Sequence, residues 1–169
     1  MMNKAEARKL ALKNRKLQNS QMVSTFVVTQ ILQSEILLNY NNIGIYYPIA
    51  NEIDITSLRV LYPDKKFYLP TTKNDLAFVE YCTDDLIDGP YNTKEPIGNE
   101  IDKNQMQCII VPCVAINKNL QRIGYGKGYY DRYLKDFKGL KIGVCYSDFS
   151  NVDVECDDYD IHLDIVIKG

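Results

Sequence analysis

The stretch from Arg122 to Leu134, RIGYGKGYYDRYL, sets glycines at 124, 126 and 128 with Lys127 among them. Glycine admits positive φ and lets backbone N–H groups approach an anion closely, so such a turn suits phosphate. A helix starting near Gly128 would add unpaired N–H donors and the positive end of its dipole. Arg122 and Lys127 would bring full charges to the same oxygens. Three alternating glycines alone fit a simple chain reversal equally well. The spacing is neither GxxxxGK[ST] nor a GxGxxG after a first strand, so neither a P-loop nor a dinucleotide fingerprint is supported.

Asp131 falls in the first turn of that helix, where its charge suits the dipole. A phosphate beside it would be repelled by roughly 4 kcal/mol at about 4 Å and an effective dielectric near 20. A divalent cation between them removes the conflict, and Mg²⁺ binds through one or two carboxylates plus phosphate oxygens. Otherwise Asp131 is a helix-start acid. In IHLDIVI, alternation puts Ile161, Leu163, Ile165 and Ile167 on one face, with His162 and Asp164 on the other. An anion in an apolar strand is costly unless paired or metal-bound. A solvated sheet face accounts for Asp164 as well.

The elements that must position these residues follow from periodicity. Residues 3–18 read as a helix with Ala5, Leu10, Leu12 and Leu17 as apolar contacts. Ser20 can cap a second helix, with Val23, Phe26, Val27, Ile31 and Leu38 on its buried stripe. Residues 42–49 read as a strand ended by Pro48, and 53–63 as a helix capped by Asp54 and stopped at Pro63. Strands follow at 65–70 and 76–82 with a turn between, then a polar loop over 83–105 of the length that is often functional. Residues 107–116, QCIIVPCVAI, form the best candidate for a central buried strand. After the glycine motif come a short helix through Phe137 and strands at 140–147 and 162–167. Strands alternating with helices indicate one α/β domain over 1–169 with a largely parallel sheet.

The composition narrows the chemistry. Hydrophobic residues make up 46% and charged residues 25% of 169, ordinary for a folded soluble domain. No apolar run suits a membrane span or secretory signal, so a cytoplasmic protein without a membrane partner is expected. Five cysteines without a CxxC pair read as reduced core thiols. His162 is the only histidine, which disfavours a His-based metal site or a Ser-His-Asp triad. A net charge of −2 argues against a nucleic-acid partner, although Tyr125, Lys127, Tyr129, Tyr130, Arg132 and Tyr133 interleave rings with bases as a single-strand binder would. The first 16 residues nonetheless carry Lys4, Arg8, Lys9, Lys13, Arg15 and Lys16 against Glu6 alone, a solvated helix face or an anion site.

Taken in order, VPCVAI, RIGYGKGYYDRYL and KIGVCYS resemble the 5-formyltetrahydrofolate cyclo-ligase family. Lys4 with Arg8, YYPIANEIDI, the Leu69–Pro70 pair, KEP at 94–96 and LDIVI extend the resemblance along most of the chain. The family usually has glycine at Cys113 and Leu120, Phe-Asp at Ile116 and Asn117, and threonine near Lys168.

The resemblance implies a three-layer α/β sandwich with helices on both faces of the sheet. It also implies ring closure of 5-formyltetrahydrofolate to 5,10-methenyltetrahydrofolate, with ATP as co-substrate and Mg²⁺ as cofactor. Lys4 and Arg8 would hold ATP phosphates, and Arg122, Gly124, Tyr125, Gly126, Lys127, Gly128, Tyr129 and Tyr130 would wrap the rest. Lys127 and Arg122 would act in catalysis, Lys127 nearest the transferring group. Asp131 and Asp164 would be the Mg²⁺ ligands, and Tyr47 and Glu52 would bind folate. A monomer or weak homodimer is expected. The competing expectation is a phosphate-binding metabolite or sugar-phosphate isomerase domain, which needs neither Asp131 nor Mg²⁺.

Overall fold

A computed structural model describes residues 1–169. In chain order the elements are α1 (Lys4–Arg15), α2 (Ser20–Ser34), β1 (Asn42–Gly44), α3 (Leu58–Leu61), β2 (Lys66–Thr71), β3 (Ala77–Glu80), β4 (Leu86–Asp88) and β5 (Lys94–Pro96). They continue with β6 (Cys108–Pro112), β7 (Ala115–Ile116), β8 (Arg122–Ile123), α4 (Tyr129–Leu134), β9 (Leu140–Cys145) and β10 (Ile165–Lys168).

The central sheet has six strands in the order β10-β9-β6-β1-β2-β3, all parallel except the edge strand β3. Pleating sends alternate residues to two cores. Ile43, Phe67, Leu69, Ile110, Ile142 and Val144 meet Val27, Val28 and Ile31 of α2 and Leu58 of α3. Tyr68, Ile109 and Val111 meet Leu134 of α4 and Phe137 on the other face. The expected α/β architecture, a mostly parallel sheet with helices on both faces, is therefore present.

Local chemistry explains the helix ends and moves some expected contacts. Asn3 and Glu6 form a reciprocal capping box at the start of α1. The inward face of α1 is Ala7, Ala11 and Arg15, while Leu10 and Leu17 are exposed. This helix packs on Ala115, Ile123 and Val154 instead of the sheet, and alanines permit that close approach. Asn19, one residue before Ser20, caps α2 through Met22 N. Val27 and Ile31 are buried as expected, whereas Phe26 points outward. The helix ends at Ser34, so Leu38 lies beyond its periodicity and is exposed.

Several expected elements are shorter or divided. The first strand pairs only over 42–44, and Ile45 adds one bond to Tyr68 O. Asp54 caps no long helix; its carboxylate accepts from Thr56 N and Oγ1, a local turn that leaves α3 only four residues. The run 107–116 breaks after Pro112, and its second part pairs with β8 in a separate two-stranded ribbon. The final strand starts at Ile165, leaving Asp164 outside it. The 83–105 segment is no irregular loop. It contains the β4–β5 hairpin, anchored because Glu95 is buried and accepts from Thr71 Oγ1, Thr72 N and Thr72 Oγ1. Leu120 adopts φ +60°, costing about 1–2 kcal/mol over glycine. The backbone thus holds at Leu120 a conformation that favours glycine.

Candidate active site at the carboxyl ends of the sheet

Strands β1 and β6 are neighbours, yet the chain leaves β1 toward β2 and leaves β6 toward β9. That reversal opens a crevice at their carboxyl ends, the place where open α/β sheets bind ligands. The segment after β1 carries Glu52, and the segment after β6 carries the ribbon and glycine motif. Arg122 Nε donates to Pro112 O at 2.9 Å, fastening the base of the motif to the end of β6. Its guanidinium also lies 4.7 Å over the Tyr130 ring.

The glycines serve two separate needs. At Gly124 an added Cβ would lie 2.5 Å from Arg122 Nη1, so the position is small to admit that guanidinium. Gly126 and Gly128 have φ +93° and +73°, which L side chains rarely adopt. None of the N–H groups from Tyr125 to Gly128 has an acceptor in the chain. Arg8 Nε donates to Gly124 O at 2.6 Å, which sets its guanidinium beneath the loop. Lys127 is exposed, with Nζ 5.3 Å over the Tyr91 ring at the tip of the β4–β5 hairpin. Four free donors and three cations thus share one loop. The α4 helix has only six residues, so these donors belong mainly to the loop.

On the other wall, Glu52 is 7% exposed. Its Oε2 accepts from Ile49 N at 3.0 Å and its Oε1 from the Tyr125 hydroxyl at 3.2 Å. Burial pushes the Glu52 carboxyl above its usual range despite the Ile49 N–H, Arg15, Tyr125 and Arg122, which pull it down. Tyr125 thus points toward Glu52, and burial lifts its hydroxyl to about 12. Tyr130 packs half-buried between Arg122 and the second core, and Tyr129 lies under Arg132. Tyr47 is half-buried near Tyr81 and Lys94. Burial raises the Cys113 thiol beside Arg122 to about 12, as suits a reduced core cysteine.

The two expected metal ligands have different partners within the fold. Asp131 sits on α4 beside the loop and accepts weakly from Ile161 N at 3.4 Å. Asp164 accepts from Lys141 N at 2.8 Å, next to the start of β9. From Lys141 to Cys145, at the carboxyl end, is about 13 Å of strand. The last strand begins at Ile165, three residues later than the expected 162, so Asp164 precedes it and lies at its amino end. No three His, Cys, Asp or Glu side chains converge as a metal cage. One carboxylate plus phosphate oxygens suits Mg²⁺, and of the two expected ligands Asp131 is the one in the first turn of α4, next to the loop.

Lys4 has partners that its sequence did not reveal. Its Nζ is paired with Asp157 and Asp160, which raise the ammonium above its usual range against the effect of desolvation. Arg15, Tyr91, Asp157 and Asp160 were all missed as site residues. Arg15 had one available signal: it shares a helical face with Lys4, Arg8 and Ala11. The others lie in segments without periodicity. A surface depression of about 700 Å³ lies at the amino ends of β1 and β2. Its Asn42 and Gln107 side chains are satisfied within the fold, and it holds none of these groups.

A switch-point crevice with a glycine loop, free N–H donors and nearby cations defines an α/β protein whose candidate site has the chemistry to suit an anionic ligand. The chain belongs to the 5-formyltetrahydrofolate cyclo-ligase family, whose sequence model matches residues 2–169. It is accordingly an enzyme of the ligase class. The chain is 38% identical over 130 residues to 5-formyltetrahydrofolate cyclo-ligase from Mycoplasma genitalium, covering 75% of this chain and 71% of that protein. It is also similar to the NMR structure of Aquifex aeolicus 5,10-methenyltetrahydrofolate synthetase. There the TM-score is 0.86 at 30% identity, over 99% of this chain and 90% of that one. For a 5,10-methenyltetrahydrofolate synthetase from Mycoplasma pneumoniae, the TM-score is 0.81 at 25% identity, over 98% of each chain.

Proposed function

We propose that this chain cyclises 5-formyltetrahydrofolate to 5,10-methenyltetrahydrofolate, using ATP and Mg²⁺ and releasing ADP and phosphate. The carrying observation is a glycine loop whose N–H groups from Tyr125 to Gly128 have no acceptor in the chain, with Arg8 bonded to Gly124 O, Arg122 packed against Gly124 and Lys127 exposed on the loop itself. A formamide is a poor electrophile and its oxygen a poor leaving group. Transfer of the γ-phosphoryl group to the formyl oxygen, with ADP departing, activates that carbon. Substrate N10 then forms the new C–N bond and loses its proton, and the C–O bond breaks to release phosphate.

No protein nucleophile is required. The loop N–H groups and Arg8 would hold the ATP phosphates, with Arg122 bracing the loop from below. Lys127, exposed and mobile about its stem, would follow the transferring group. Lys4 would reach phosphate by leaving Asp157 and Asp160. Glu52 would accept from the paired N–H donors of the pterin, with Tyr47 on the same side of the crevice. Bound Mg²⁺ would neutralise phosphate charge, and Asp131 would hold it. Such a site supplies charge, alignment and dryness, the needs of phosphoryl transfer. The reading takes residues 1–169 as a single catalytic unit acting as a monomer or weak homodimer.

The test is a spectrophotometric assay for methenyltetrahydrofolate from 5-formyltetrahydrofolate, with ATP and Mg²⁺ each present or omitted. Product that needs both supports the proposal. Folded protein that makes none under any metal condition rejects it.

A further inference from the structure

Helix α1 carries one more cation on the face that holds Lys4 and Arg8. Arg15 is 4% exposed, and arginine is almost never buried unless its charge is answered. Its Nη2 donates to Tyr125 Oη, and that hydroxyl donates to Glu52 Oε1 at 3.2 Å. The Tyr125 ring also lies 5.6 Å from the guanidinium. Arg15 Nε is buried without an acceptor, beside a cavity of about 10 Å³ bordered by Tyr46, Glu52 and Tyr146. That space is about one water in size. The end of α1 is held too, since Asn51 Nδ2 donates to Arg15 O at 2.6 Å, one residue before Glu52.

We infer that Arg15 is a positioning residue, anchoring Tyr125 against Glu52 so that the glycine loop and this carboxylate are set as one unit. The inference rests on the folate role proposed for Glu52. Folate donors reaching Oε1 meet a carboxylate already aimed by Tyr125, and Arg15 keeps that tyrosine from following the loop outward.

The charge environment gives the idea a measurable sign. Arg15 faces Glu52 from α1, with Arg122 and Tyr125 from β8 and its loop. Tyr46, Cys113, Tyr130 and Tyr146 face it from the ends of β1, β6, α4 and β9. Burial raises all five of those hydroxyl and thiol groups, so only the two arginines are charged at neutral pH. Arg122 is already engaged with Pro112 O and the Tyr130 ring.

The experiment compares the parent with Arg15→Met and Arg15→Lys by NMR titration of the Glu52 carboxyl and by direct 5-formyltetrahydrofolate binding. Arg15→Met should move the Glu52 titration to higher pH and weaken folate binding about tenfold, a loss near 1.4 kcal/mol. Arg15→Lys should restore the titration, because it restores the charge. A folded Arg15→Met protein that titrates and binds as the parent does, within twofold, overturns the inference. If that variant does not fold, Tyr125→Phe decides by the same two readouts. It should raise the Glu52 titration, and an unchanged titration rejects the tether. A parent that binds no 5-formyltetrahydrofolate would sink the proposed function, while the Glu52 titration would still decide the role of Arg15.

Discussion

Gly124→Ala separates the need for a small residue from the need for a flexible one. The Gly124 backbone is not in the left-handed region, so alanine adds no strain there. Its Cβ, however, would lie 2.5, 2.6 and 2.7 Å from Nη1, Nη2 and Cζ of Arg122. That guanidinium cannot swing into water freely, because Arg122 is 7% exposed, bonded to Pro112 O and stacked on Tyr130. Losing a charged hydrogen bond costs about 1.5–3 kcal/mol. A partly desolvated cation–π contact adds about 1 kcal/mol. The expected loss is about 2–4 kcal/mol, or a Tm fall of about 5–15 °C for a chain of this size. Urea unfolding gives the free energy, and calorimetry with a non-hydrolysable ATP analogue gives the affinity. In an Arg122→Met background the clash is gone, and Gly124→Ala should cost less than about 1 kcal/mol. Equal losses in both backgrounds would refute the packing argument. Gly126→Ala is the contrasting control: the nearest atom is Arg8 Cζ at 3.5 Å, so its cost of about 1–2 kcal/mol comes from φ alone.

Three further outcomes follow from the site. Asp131→Asn should abolish Mg²⁺-dependent turnover in folded protein, while Asp164→Asn keeps the Mg²⁺ requirement within about twofold and changes stability by less than about 1 kcal/mol, since its amide oxygen can still accept from Lys141 N. A raised Mg²⁺ requirement in Asp164→Asn would return that residue to the metal site. Glu52 has a raised folded carboxyl, so the folded state holds its proton more tightly, and stability falls as pH rises from about 4.5 through the folded value. Glu52→Gln should therefore remove the part of the stability loss that sets in above pH 4.5, so that its Tm improves relative to the parent as pH rises, and should lose folate binding; a parent Tm that rises relative to the variant over that range would contradict the sign. Lys4→Ala should weaken ATP about tenfold and folate by less than about threefold, whereas equal ATP affinity in calorimetry would leave Lys4 only its contact with Asp157 and Asp160.

Much of the fold was legible because its signals are local. The run Cys108–Val111 is apolar on both faces, as a central parallel strand must be, and the glycines at 126 and 128 marked positive φ before any contact was known. Element ends were less legible. Asp54 was free to bond its own neighbours, and the 107–116 run broke where its second half found β8. The hairpin within 83–105 exists because Glu95 reaches Thr71 and Thr72, a contact between segments more than 20 residues apart.

For the site, the amino-acid sequence by itself determined the glycine loop, its cations Arg122 and Lys127, the acid Asp131 after it, and membership of the cyclo-ligase family. All lie in short stretches where residue type and spacing carry the chemistry. Tertiary structure alone decided which charges meet. It bonded Asp164 to Lys141 N at the start of β9, paired Lys4 with Asp157 and Asp160, and brought Arg15 and Tyr125 onto Glu52. A side chain's partner depends on which elements pack together, and packing is settled by the whole core at once.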